Sequence, residues 1–157
     1  MIATWVCQAS LSKTHARVLV VLSVEARTRS LIEASGRFAL QLLDRQQQDL
    51  VARFALPFDG DRFAGVAAGA TATGLPLVEG GCGFVECVVR DSLATGDRVV
   101  YLAEIVEEQF NADRLPLRER DALTEQPDTV ASALQRSYEL DVFRDDRLLG
   151  SAGSSDE

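Results

Sequence analysis

Two apolar segments of strand length, CGFVECVVRD at 82–91 and DRVVYLAEIVE at 97–107, are separated by SLATG. That pattern demands an antiparallel hairpin, because a turn this short cannot carry a parallel crossover. In the second segment Val99, Tyr101, Ala103 and Ile105 alternate with Val100, Leu102, Glu104 and Val106. Both sets are mostly apolar, so this strand is expected to be covered on both faces. RVLVVLS at 17–23 reads as another buried strand, and Phe38, Leu40 and Leu42 alternate along a third. Strands follow one another without regular helical crossovers, which excludes a doubly wound parallel sheet. The expectation is a mainly β protein, a small β-barrel with attached helices.

The connecting segments fit that plan. Residues 2–10 read as a strand with small and polar residues mixed in. Thr28 is placed to cap a helix through about Ser35, with Gly36 as its stop. Residues 46–54 form an amphipathic helix with Leu50, Val51 and Phe54 on one face. Residues 57–65 are turn-rich, and 65–74 are loop with a short strand. From 112 the chain becomes acidic and helical, and Pro127 marks a helix start. A length of 157 residues fits one core. The division expected is a barrel domain over 1–110, a helical extension packed on it over 111–149, and a disordered tail over 150–157.

Charge and composition narrow the chemistry. The net charge is −8, with seven Lys or Arg against four acids in residues 1–54 and seven against sixteen in 91–157. An acidic chain is a poor nucleic-acid binder. Lys13, Arg17, Arg27 and Arg29, opposed only by Glu25, suit a small anion or a solvated face. Apolar runs such as VLVVL are too short to span a bilayer and no secretory signal opens the chain, so a cytoplasmic location is expected. Three cysteines and one histidine give neither a disulfide framework nor a metal site, and Cys82 and Cys87 read as small buried hydrophobes. GATATG at 69–74 lacks the Lys-Ser or Lys-Thr of a phosphate loop, and no dinucleotide fingerprint is present. His15 reads as an exposed loop residue, and no catalytic side chain is identified. Hydride chemistry on a bound cofactor asks little of side chains.

Several segments carry a resemblance in the right order: MIATWVCQAS at 1–10, VLVVL at 18–22, RTRSLIEASGRFALQLL at 27–43, DRFAG at 61–65, GLPLVEGGCGFVEC at 74–87 and GDRVVYLAEI at 96–105. Over residues 1–107 the chain resembles the flavin reductase-like family of FMN-binding split barrels. The resemblance implies that Thr4, Trp5, Val6 and Cys7 line the flavin ring, that Ser10 lies near the ribityl chain, and that Arg27, Thr28 and Arg29 hold the phosphate. It implies FMN, with FAD as the alternative, NAD(P)H as substrate, a homodimer, and an oxygenase or other electron acceptor as partner.

The chain also departs from the pattern. It begins inside the first motif, so the expectation is either a truncated start or an N-terminally abbreviated barrel. Ile2 stands where Thr is common, Cys7 replaces Thr or Ser, and Lys13-Thr14-His15-Ala16 replaces a proline pair. Arg98 stands where His is frequent near the nicotinamide side. An NAD(P)H-dependent flavin reductase is the leading expectation. A flavin-binding electron carrier and a flavin-free interaction protein are the alternatives.

Overall fold

The computed structural model describes residues 1–3, 5–12 and 14–152. Five strands form one antiparallel sheet in the order β1-β2-β7-β6-β3: β1 (Val6–Gln8), β2 (Arg17–Ser23), β3 (Arg37–Leu42), β6 (Gly83–Ala94) and β7 (Arg98–Phe110). β4 (Ala68–Ala70) and β5 (Pro76–Val78) make a separate two-stranded ribbon. The helices are α1 (Arg27–Ser35), α2 (Asp49–Ala55), α3 (Glu119–Thr124) and α4 (Asp128–Ala152). Among the described residues no ladder joins β1 to β3, so the sheet is open and not the closed barrel expected. Closure needs every edge strand paired, and β1 offers only three residues. Helices occupy about as much of the chain as strands, so the fold is an antiparallel sheet with helices, not a mainly β one.

The apolar alternation on β2 and β7 selects the inner face. Val20, Leu22, Val99, Tyr101 and Ala103 are buried together with Phe38, Cys87 and Ile32 of α1. On the opposite face Val100 and Leu102 remain half-buried, so β7 is covered on one face and not on two. α1 ends where Gly36 takes φ 66°, a conformation glycine enters without strain, and its N–H closes on the Ile32 carbonyl. Thr28 does not cap α1. The helix starts one residue earlier, Ala26 holds the cap position, and no side chain caps it. A second cluster joins Leu50 and Phe54 of α2 to Val78, with Ile2, Leu43, Phe63 and Val66 packed against it.

β6 carries irregularities at Glu86/Cys87 and Val89/Asp91. The strand runs on through Ala94, so the hairpin turn is Thr95–Asp97 and not the whole of SLATG; the Thr95 N–H bonds the Arg98 carbonyl at 2.9 Å. α4 begins after Pro127, whose carbonyl accepts from Val130 and Ala131, and it continues through residues 150–152. Residues 153–157, the rest of the expected tail, lie outside the described residues. No described helix is long and apolar enough to cross a membrane.

Candidate functional site

Four segments converge at one end of the sheet: the start of β1, the β2–α1 turn, the β6–β7 turn and α4. Ladder register places the first of them. Val6 opposes Val20 and Cys7 opposes Leu19, while the Trp5 carbonyl accepts the Val21 N–H at 3.0 Å. Val21 in turn opposes Val100, and Leu19 opposes Leu102. Residues directly opposed in an antiparallel ladder share a face. Trp5, Val21 and Val100 therefore form one row on the outer face, and Cys7, Leu19 and Leu102 form the next. Val6 lies with Val20 on the inner side. Trp5 is 59% exposed, and Val6 and Cys7 are exposed as well. The result is an apolar strip with an aromatic at its edge, a surface suited to a flat amphipathic ring.

The predicted anion residues sit at the same end. β2 stops at Ser23, the Ala26 N–H turns back onto the Ser23 carbonyl at 3.0 Å, and α1 starts at Arg27. The first turn of α1 contains no acid and its N-terminus has no side-chain cap. Its orphan N–H groups and dipole favour an anion, and Arg27 is exposed beside them. Thr28 is half-buried, and Arg29 is paired with Glu33 at 3.0 Å. This donor set fits a phosphate, and the neighbouring strip fits a flavin ring.

Not every predicted residue joins this cluster. Ser10 lies five residues beyond Trp5, roughly 16 Å along an extended chain. Its hydroxyl donates to the His15 carbonyl at 3.1 Å and accepts the Ser12 N–H at 3.0 Å, so it builds the β1–β2 turn. An open depression of about 280 Å³ there is lined by Gln8, Ala9, Ser10 and Leu11. Thr4 lies outside the described residues. His15 is exposed, and its Nδ1 lies 3.3 Å from Glu104, whose carboxyl is held below its usual range by hydrogen bonds from His15 and Arg90.

Three features were absent from the sequence reading. Arg98, opposite Ser23, forms a two-pronged pair with Asp145 of α4: Nη1 donates to Oδ1 at 2.8 Å and Nη2 donates to Oδ2. The Arg98 guanidinium carbon also stands 5.5 Å from the centre of the Trp5 ring. No local pattern announces a pairing across so many residues. Second, Glu86 is only 1% exposed, yet Arg37 Nη1 donates to it at 2.7 Å and Thr73 at 2.9 Å. Burial pushes its carboxyl up, but hydrogen bonds from Thr71, Thr73 and Arg37 outweigh that and hold it below its ordinary range. Third, a groove of about 380 Å³ beside Gly80, Gly81, Phe110 and Arg114 includes none of the predicted site residues.

Known proteins resemble this chain in sequence and in fold. The reductase subunit HsaB of a flavin-dependent monooxygenase from Mycobacterium tuberculosis is 34% identical over 101 residues, covering 63% of this chain and 54% of its own length. The chain spans about half the length of that curated relative. Nitrilotriacetate monooxygenase component B from Mycobacterium thermoresistibile superposes with a TM-score of 0.63 at 31% identity, over 70% of this chain and 62% of its own. For the NADH:FAD oxidoreductase SgcE6 from Streptomyces globisporus the TM-score is 0.67 at 24% identity, over 74% and 70%. The family model described as flavin reductase like domain matches residues 1–120, and the chain belongs to that family.

Proposed function

We propose that the chain binds FMN and works as an NAD(P)H-dependent flavin reductase, delivering reduced flavin to an oxygenase or another acceptor. The observation that carries this reading is the acid-free, uncapped first turn of α1, with Arg27 and Arg29, at the same end of the sheet as Trp5. Arg27, Thr28 and the first-turn N–H groups would hold the phosphate, and Arg29 would add its charge from behind Glu33. Trp5 and Cys7 would line the ring, with Val6 supporting that strand from the inner side; Thr4 and Ser10 belong to the proposed set by family likeness. A bound flavin would supply hydride acceptance from nicotinamide at its N5. The chain's residues need only bind, orient and exclude water. FAD is the alternative cofactor, since one structural relative is described as an NADH:FAD oxidoreductase. An oxygenase partner is supported by relatives described as reductase components of monooxygenases.

The edge of the sheet that β1 leaves unpaired among the described residues favours a homodimer. A monomer in sedimentation at micromolar concentration would count against that part. A flavin-binding electron carrier is the second reading, favoured by Arg98 being already engaged with Asp145 at the nicotinamide-side position.

The direct test is the visible spectrum of purified protein with and without FMN, followed by anaerobic mixing with NADH or NADPH. Fast bleaching supports the reductase; binding without bleaching supports the carrier; no binding sinks both. Thr28→Ala is expected to weaken FMN affinity about fivefold through the lost phosphate contact. Unchanged affinity removes Thr28 from the site.

A further inference from the structure

α4 starts eight residues after the end of the matched domain, yet it reaches back to the end of the sheet where the candidate site lies. Its reach is made by three side chains within six residues. Arg144 lies 3.8 Å from Glu25 in the β2–α1 turn. Asp145 takes both prongs of Arg98 at the start of β7. Leu149, one helical turn beyond Asp145, packs at the β6–β7 turn, where a Cβ on Gly96 would stand 3.1 Å from Leu149 Cδ2. One helix thus touches the segment leading into the phosphate turn, the strand start and the hairpin turn.

The Asp145 contact differs in kind from the Arg144 one. The Arg144 and Glu25 side chains are more than half exposed, a setting in which an ion pair contributes little. Those of Arg98 and Asp145 are 19% and 17% exposed. A carboxylate gripping a guanidinium by two N–H groups fixes the guanidinium plane as well as its position. Arg98 Nη1 is held further by the Asp97 carbonyl at 3.3 Å. With its edge occupied, the guanidinium keeps its flat face for the Trp5 ring.

We propose that α4 is a clamp on the ring-lining strand and that Asp145 is its positioning residue, holding Arg98 across the face of Trp5 so that this wall of the flavin site is set before the cofactor arrives. The proposal rests on the flavin reading above. Asp145 acts through Arg98 and contributes no chemistry of its own. It also compensates the Arg98 charge, so the wall is a flat stacked surface and not a free cation.

The chain contains a single tryptophan, so its fluorescence reports on Trp5 alone. The test measures acrylamide quenching of the full chain without flavin, then FMN affinity by titration. Asp145→Asn is expected to raise the quenching constant about twofold and weaken FMN about fivefold, because an amide cannot accept two charge-assisted bonds from the fork. The exchange of charges, Arg98→Asp with Asp145→Arg, should return the quenching constant toward wild type without returning the affinity, since the guanidinium then comes from the wrong element. Arg98→Lys keeps the charge and loses the fork; it should mimic Asp145→Asn, and it answers the question if that variant does not fold. Unchanged Trp5 quenching in Asp145→Asn overturns the clamp, and so does altered quenching with unchanged FMN affinity. A wild-type chain that shields Trp5 but takes up no FMN overturns the flavin reading instead, a result distinct from loss of the clamp.

Discussion

The two halves of the sheet are finished to different degrees. On the β3–β6 side a carboxylate is buried and answered: Glu86 meets Arg37 and Thr73, and next to it Cys87 is fully covered by the inner core. On the β1–β2 side a three-residue edge strand, with Trp5 just before it, shows Trp5, Val6 and Cys7 to solvent, and the nearest helix start has no cap. The first half satisfies its polar groups internally, which is how a stable scaffold is built. The second leaves donors, a ring and an apolar strip unsatisfied, which is how a ligand site is left open. Stability and binding should therefore separate along the sheet.

The largest effect expected is on the finished side. Glu86→Ala leaves Arg37 and Thr73 facing a void, and should cost about 3 kcal/mol, read as a lower urea midpoint. The same residue sets an acid limb. Hydrogen bonds depress its folded pKa against the burial that raises it, so its contribution is fully present above the ordinary carboxyl value of 4.5. That contribution is lost as pH falls through the lower folded value. Glu86→Gln should flatten this limb; a limb of the same steepness in the variant would place acid sensitivity elsewhere.

Gly83 offers a somewhat smaller break on the same side. At φ 156° it opposes Phe110, and a Cβ there would collide with the Gln109 carbonyl and the Phe110 ring. Gly83→Ala should destabilise by about 2 kcal/mol, since backbone must shift to admit the methyl. If FMN affinity fell as much as the denaturation midpoint, the two halves would not be independent.

The central strands were the more legible in sequence, for a physical reason. β2 and β7 bury alternate residues, and burial is what writes period-two alternation into a chain. Gly36 was readable because a left-handed cap leaves few residue choices. β1 is shorter than the strand expected over 2–10 because a solvent-facing edge imposes no pattern to stop at. Tyr101 and Leu102 are both apolar, which suggested cover on both faces, but alternation cannot say whether the second cover comes from the same chain. Thr28 has the residue type of a cap, whereas the turn from Ser23 starts the helix at Arg27. The irregularity at Glu86/Cys87 and the reach of Asp145 to Arg98 depend on tertiary packing and have no local signature.

The smallest effect expected is at Cys7, and it probes both halves in one experiment. The chain has three free thiols: Cys7 is exposed, while Cys82 and Cys87 are buried. Burial, helped by the charge of Glu86, pushes the Cys87 thiol up to about 12, and burial raises Cys82 as well. The thiolate is the reactive form, so in native protein near neutral pH one thiol should titrate quickly with a disulfide reagent, and all three after unfolding. Prompt reaction of a second thiol would mean that the β3–β6 half is less closed than its packing implies. Saturating FMN should then slow Cys7 by about threefold, since Cys7 shares the outer face with Leu19 and Leu102 and a ring resting on that strip would screen it without sealing it. Slowing by FMN in wild type and not in Thr28→Ala, at one FMN concentration, would tie the phosphate turn to the ring strip across the open end of the sheet. Equal rates with and without FMN, in a protein that binds it, would move the ring off β1 and leave the exposed edge to a partner chain.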